Sequence, residues 1–125
     1  MVVKETVKGL TECLETIDKY KGNDSLFVLF CGDKDASGNS WCPDCVDAEP
    51  FVTSGLASAP DDGVFIYCSV GDRAFWKDQQ NGFRTHDKLK LSAVPTLLKY
   101  GTSKRLVEED CKKSDLVKML FEDED

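Results

Sequence analysis

Trp41-Cys42-Pro43-Asp44-Cys45 decides the reading of this chain: two cysteines with two residues between them, behind a tryptophan and around a proline. A polar loop, Gly32 through Ser40, leads into it, and Val46 to Leu56 reads as a helix despite Pro50. Pro43 suits a first helical position, where its missing N–H removes no hydrogen bond. Cys42 then takes the cap position, with its sulfur beside free backbone N–H groups and the positive end of the helix dipole. Both favour thiolate over thiol, and the thiolate is the attacking species. Cys45 lies one turn further on and reaches the same sulfur. The spacing therefore suits a cycle in which Cys42 attacks a disulfide, a mixed disulfide forms, and Cys45 resolves it, leaving Cys42–Cys45 oxidised.

Working outward, Leu26-Phe27-Val28-Leu29-Phe30 is a continuous apolar run, as expected for a central strand covered on both faces. Before it, Val2, Val3 and Val7 supply a short first strand. Leu10, Cys13, Leu14, Ile17 and Tyr20 recur at helical spacing and stop near Gly22-Asn23. After the motif, Ala59 to Gly63 breaks the helix and Val64 to Val70 is a second buried-type strand. A short helix is expected around Arg73 to Lys77, then a polar loop at Asp78 to Gly82. Thr96 to Tyr100 and Lys104 to Val107 flank Gly101-Thr102-Ser103 as a hairpin, and Leu116, Val117, Leu120 and Phe121 mark a closing helix with Ser114 as its N-cap. The order β-α-β-α-β-α-β-β-α describes an α/β chain with a mixed five-stranded central sheet and helices on both faces.

The 125 residues fit one domain, 1–125, ending in an acidic tail, 122–125, best read as a solvated end. No stretch has the apolar length to cross a bilayer, and the early residues show no signal core, so a cytosolic chain with reduced thiols is expected. A formal charge of -7 argues against nucleic-acid binding. A structural zinc site wants four ligands, which one cysteine pair and a distant His86 do not supply, so no metal is expected.

Several segments resemble the thioredoxin superfamily, and more closely the thioredoxin-related family called thioredoxin domain-containing protein 17. They are Ser40 to Cys45 with Ala48-Glu49-Pro50, Phe65 to Cys68, Trp76-Lys77-Asp78, and Ala93 to Thr102. The resemblance implies the thioredoxin fold, with Cys42 as nucleophile, Cys45 as resolving thiol, and a helix bend at Pro50. It places Val94-Pro95-Thr96 at the family's cis-proline segment, where Val94 offers backbone groups to a substrate beside Cys42. From the residues alone, a trans proline opening a strand is the ordinary alternative. Trp41, Pro43, Val94 and Pro95 are thus the candidate substrate-binding residues. Thioredoxins carry a buried Asp before the Phe of the central strand; here Leu29 precedes Phe30, and Asp44 is the candidate for proton transfer instead. The loop Gly32 to Ser40 is longer than in thioredoxins and is expected to border the site and narrow access.

The remaining cysteines read differently. Cys13 and Cys68 are core positions, Cys31 is a buried thiol or a regulatory one, and Cys111 is an exposed position before the last helix. Trp76 is expected to pack, and His86 and Lys34 to face solvent. The expected function is reduction of small or exposed disulfides by a monomer. There is no bound cofactor, and electrons come from NADPH through thioredoxin reductase, as the resemblance implies. The alternatives are a glutathione-dependent enzyme and a thioredoxin-fold adaptor that uses its thiols as a switch.

Overall fold

A computed structural model describes residues 2–122, so Asp123, Glu124 and Asp125 of the acidic tail lie outside the described residues. Its strands are β1 (Val3–Lys8), β2 (Leu26–Cys31), β3 (Val64–Ser69), β4 (Thr96–Lys99) and β5 (Arg105–Val107). They form one mixed sheet in the order β1-β3-β2-β4-β5. β3 runs parallel to both β1 and β2, while β4 is antiparallel to β2 and β5 to β4. The helices are α1 (Gly9–Lys19), α2 (Pro43–Gly55), α3 (Arg73–Lys77), α4 (Gly82–Thr85) and α5 (Ser114–Phe121). This is the mixed five-stranded sheet that the element order implied, in the thioredoxin fold that the resemblance implied.

All six residues of β2 are buried, because both faces of the sheet are covered. Alternation along a strand sends Phe27, Leu29 and Cys31 to one face and Leu26, Val28 and Phe30 to the other. Phe27 meets Phe121 of α5 edge-on, with ring centroids 4.9 Å apart, while Phe30 meets Phe83 of α4 at 5.9 Å. α2 packs on α5, so these two share the Phe27 face. Each fully buried aromatic contributes about 1.5–3 kcal/mol of transfer free energy, and each edge-on pair about 0.5–1.5 kcal/mol more. β3 stands beside β2 with Phe65 opposite Phe27 and Tyr67 opposite Leu29, so Tyr67 belongs to the α2 face as well.

The elements depart from expectation at their edges. α1 stops at Lys19, before Gly22. α2, by contrast, begins at Pro43 and stays helical through Pro50, both as expected. Part of the supposed polar stretch after Asp78 forms α4, capped by the Asn81 side chain, which accepts the Arg84 N–H at 3.2 Å. Ser114 is the first helical residue and not the N-cap; Lys113 holds that position without a side-chain cap bond. Cys111 is fully buried rather than exposed. The chain folds back as a short 3-10 turn, Glu108–Lys112, and the thiol points at the carbonyls of Leu106 and Pro95.

Candidate redox site at the start of the second helix

The segment before the motif is fixed by the turn after β3. Asp33 N–H donates to the Gly71 carbonyl at 3.1 Å, and the Asp33 carboxylate takes the Gly71 N–H at 3.0 Å. Trp41 Nε1 donates to that same carbonyl at 2.9 Å, which lays the indole over Gly32. A Cβ at Gly32 would collide with the ring, so a side-chain-free residue is required there. Ser40 Oγ donates to the Gly32 carbonyl at 2.8 Å and accepts the Cys42 N–H at 3.1 Å.

These contacts deliver Cys42 to the N-cap of α2 in an extended conformation, φ −94° and ψ 106°. Its Sγ accepts the Cys45 N–H at 3.2 Å, the hydrogen bond expected of a thiol at a helix start. Across from it, Cys42 Sγ lies 3.7 Å from the Val94 carbonyl, and the Val94–Pro95 peptide bond is cis. Cys42 is 5% exposed and Cys45 1%, so Cys42 forms the outer sulfur and Cys45 the inner one. All six cysteines are free thiols.

The Cys45 thiol, as a hydrogen-bonding neighbour, is the strongest influence pushing Cys42 up, joined by burial and by the charges of Cys45 and Asp44; the Cys45 N–H opposes them. For Cys45 the neighbouring Cys31 thiol pushes up most, burial adds to it, and the Cys42 and Gly32 contacts oppose. A thiol–thiol contact raises whichever member ionises second and stabilises whichever ionises first. Cys45 is the deeper member and carries the extra Cys31 contact.

Asp44 borders the same opening as Cys42, but its carboxylate is engaged elsewhere. Its carboxylate is held at 2.8 Å by Lys112, which also reaches Glu109 at 3.1 Å and Asp47 at 3.6 Å. Lys112 is raised by Asp44 first and Glu109 second. This cluster joins α2 to the 3-10 turn before α5.

A cavity of about 540 Å³ opens over Cys42. Trp41, Pro43 and Val94 line it, as do Arg73, Lys77 and Arg84, three cations that reading the sequence did not single out. Arg84 stacks 4.0 Å from the Trp76 ring centroid and donates to the carbonyls of Trp76 and Ser92. Trp76 packs as expected and also lines the cavity. Residues 32–40 do not line this cavity; Lys34, Gly38, Asn39 and Ser40 lie along the flank of α2 against Val46, Glu49 and Pro50. The loop reaches the site through Ser40, which accepts the Cys42 N–H, while Trp41 and the α3 segment line the opening itself.

Elsewhere, Cys13 and Cys68 are fully buried partners. Lys34 pairs with Glu49 at 3.2 Å and sits 4.9 Å from the Tyr67 ring centroid, so it is not simply solvated. His86 is partly buried, and its Nδ1 accepts the Lys88 N–H. Among the described residues no cluster of three or more His, Cys, Asp or Glu side chains is placed to hold a metal, and no helix is long and apolar enough to cross a membrane.

The sequence matches the family described as thioredoxin domain-containing protein 17-like, thioredoxin domain, over residues 6–123. It is 56% identical to thioredoxin domain-containing protein 17 of Epinephelus coioides over 115 residues, which is 92% of this chain and 91% of that protein. With the Homo sapiens protein of the same name it shares 49% identity over 119 residues, 95% of this chain and 94% of that one. A thioredoxin-like protein Clot of Arabidopsis thaliana is 40% identical over 75 residues, covering 59% of this chain and 56% of the relative.

Proposed function

The chain belongs to the thioredoxin domain-containing protein 17-like thioredoxin family, and from that membership we propose that it is a thiol–disulfide oxidoreductase acting through Cys42 and Cys45. One observation carries the reading. The Cys42 sulfur stands at the open end of a helix of 13 residues and accepts the Cys45 N–H, with the Cys45 thiol directly behind it.

The cycle balances without a bound cofactor. Cys42 thiolate attacks one sulfur of a substrate disulfide; the S–S bond breaks and the departing thiolate takes up a proton. Cys45 then loses its proton and attacks Cys42 Sγ, forming Cys42–Cys45 and releasing the second substrate thiol. Recharging takes two electrons from NADPH through thioredoxin reductase. The cavity supports a small or exposed disulfide: Trp41, Pro43 and Val94 supply its walls, Pro95 fixes Val94, and both cations (Arg73, Lys77, Arg84) and carboxylates (Asp44, Glu108) border it, which suits a zwitterionic substrate such as cystine.

The test is NADPH oxidation with purified thioredoxin reductase, comparing cystine with insulin as acceptor. Faster turnover with cystine is expected, along with its loss in Cys42→Ser. Recharging by glutathione alone, or retained turnover in that variant, overturns the proposal.

A further inference from the structure

The turn Glu108–Lys112 touches both walls of the site. On one side the Glu108 N–H donates to the Pro95 carbonyl at 2.8 Å, next to the Val94 carbonyl that faces Cys42 Sγ. On the other, Lys112 Nζ donates to the Asp44 carboxylate at 2.8 Å, in the first turn of α2. Asp44 stands between the two cysteines in sequence and, with Glu108, borders the cavity over Cys42. A carboxylate in a first turn suits the helix dipole, but here it opposes the thiolate that must form at the cap. Lys112 is the cation that meets it, with a side chain only 20% exposed. The other carboxylates on Lys112, Asp47 at 3.6 Å and Glu109 at 3.1 Å, are largely exposed and stand outside the cavity.

We propose that Lys112 is a positioning residue for Cys42: it holds the Asp44 carboxylate on the turn Glu108–Lys112, away from the Cys42 sulfur, and so keeps Cys42 reactive at neutral pH. The proposal rests on the reading of Cys42 as the attacking thiol and deepens it. Without Lys112, the Asp44 side chain is free to turn toward the sulfur, and it loses the charge that offsets its own. Asp47 and Glu109 lose the same cation, but their charges reach Cys42 through water and are screened. Asp44 first and Glu109 second push Lys112 up, so it stays charged across the range in which a thiol titrates. The remaining groups facing Cys42 are Arg73 and Lys77 of α3, Arg84 of α4, Glu108 of the turn and the Cys45 thiol of α2. They are the same in every variant of the test.

The experiment is a double-mutant cycle read by alkylation of the reduced protein with iodoacetamide from about pH 6 to 10, with the modified residue mapped by mass spectrometry. The reagent is uncharged, so the rim does not steer it. Lys112→Met is expected to slow Cys42 alkylation about threefold at pH 7 and to move its midpoint up by about half a unit. In the Asp44→Asn background the same substitution should change the rate by less than about 1.5-fold. Lys112→Arg keeps the cation and should retain most of the wild-type rate. Thermal denaturation confirms that each variant is folded, and Lys112→Gln replaces Lys112→Met if the latter is not. An equal loss in both backgrounds overturns the proposal, because Lys112 would then act on Cys42 as a separate charge or through packing. No loss in either background overturns it too. Alkylation of wild type that falls on another cysteine, with Cys42 unmodified throughout, would instead contradict Cys42 as the attacking thiol, so the two failures are told apart.

Discussion

Asp44 shows how much a single side chain between the two cysteines can be misjudged from its neighbours in sequence. Its charge lies among the influences raising Cys42, yet its carboxylate is bound to Lys112, 68 residues along the chain. Removing the charge while keeping the shape should therefore favour the Cys42 thiolate. Asp44→Asn is expected to raise the rate of Cys42 alkylation by iodoacetamide at neutral pH about two- to fivefold, equivalent to a fraction of a pKa unit. No change would mean that Lys112 already cancels the carboxylate as seen from Cys42. The cysteines themselves were legible because their chemistry depends on three-residue spacing at a helix start. The Lys112 partner was not, since a tertiary ion pair leaves no local trace. Cys111 was misread for a related reason: its burial comes from the carbonyls of Leu106 and Pro95, which only the folded turn brings to it.

At the scale of elements, α2 is positioned by the strand ends and not by its own sequence alone. The helix start is tied to β2 through Ser40 and Gly32, and to the turn after β3 through Trp41 and Gly71. Gly32→Ala puts a methyl group into the indole, and the ring must leave the Gly71 carbonyl or the backbone must shift. Overpacking of this kind costs about 1–3 kcal/mol. The variant should show lowered thermal stability, altered tryptophan fluorescence and slower attack by Cys42; unchanged fluorescence with unchanged rate would show that Trp41 does not set the cap. Apolar runs revealed β2 and β3, and Gly101-Thr102-Ser103 revealed the hairpin, because burial and turn chemistry are local properties. α4 was hidden because four helical residues show no periodicity, and its capping by Asn81 is evident only once the chain turns there. The length of the loop at residues 32–40 could not say which side of α2 it follows; Lys34, Gly38, Asn39 and Ser40 lie along the Val46–Glu49 flank.

Taken whole, the molecule places an outer thiol at a helix end, an inner thiol behind it, and a charged rim around the opening in which Arg73, Lys77 and Arg84 outnumber Asp44 and Glu108, on a chain whose formal charge is -7. Asp44 and Glu108 line the same opening, so cations and carboxylates face each other across it. The element order alone was enough to give the mixed sheet, since parallel strands joined by helices and closed by a hairpin have few arrangements. The rim escaped notice because Arg73, Lys77 and Arg84 lie in the least regular part of the chain and meet only in space. The central claim is that Cys42 attacks and Cys45 resolves. It is tested most directly by incubating Cys45→Ser with cystine, quenching in acid and mapping the adduct by mass spectrometry. One cysteinyl group on Cys42 is predicted, stable until an external thiol is added and missing in Cys42→Ser. An adduct on another cysteine, or none at Cys42, would contradict the account.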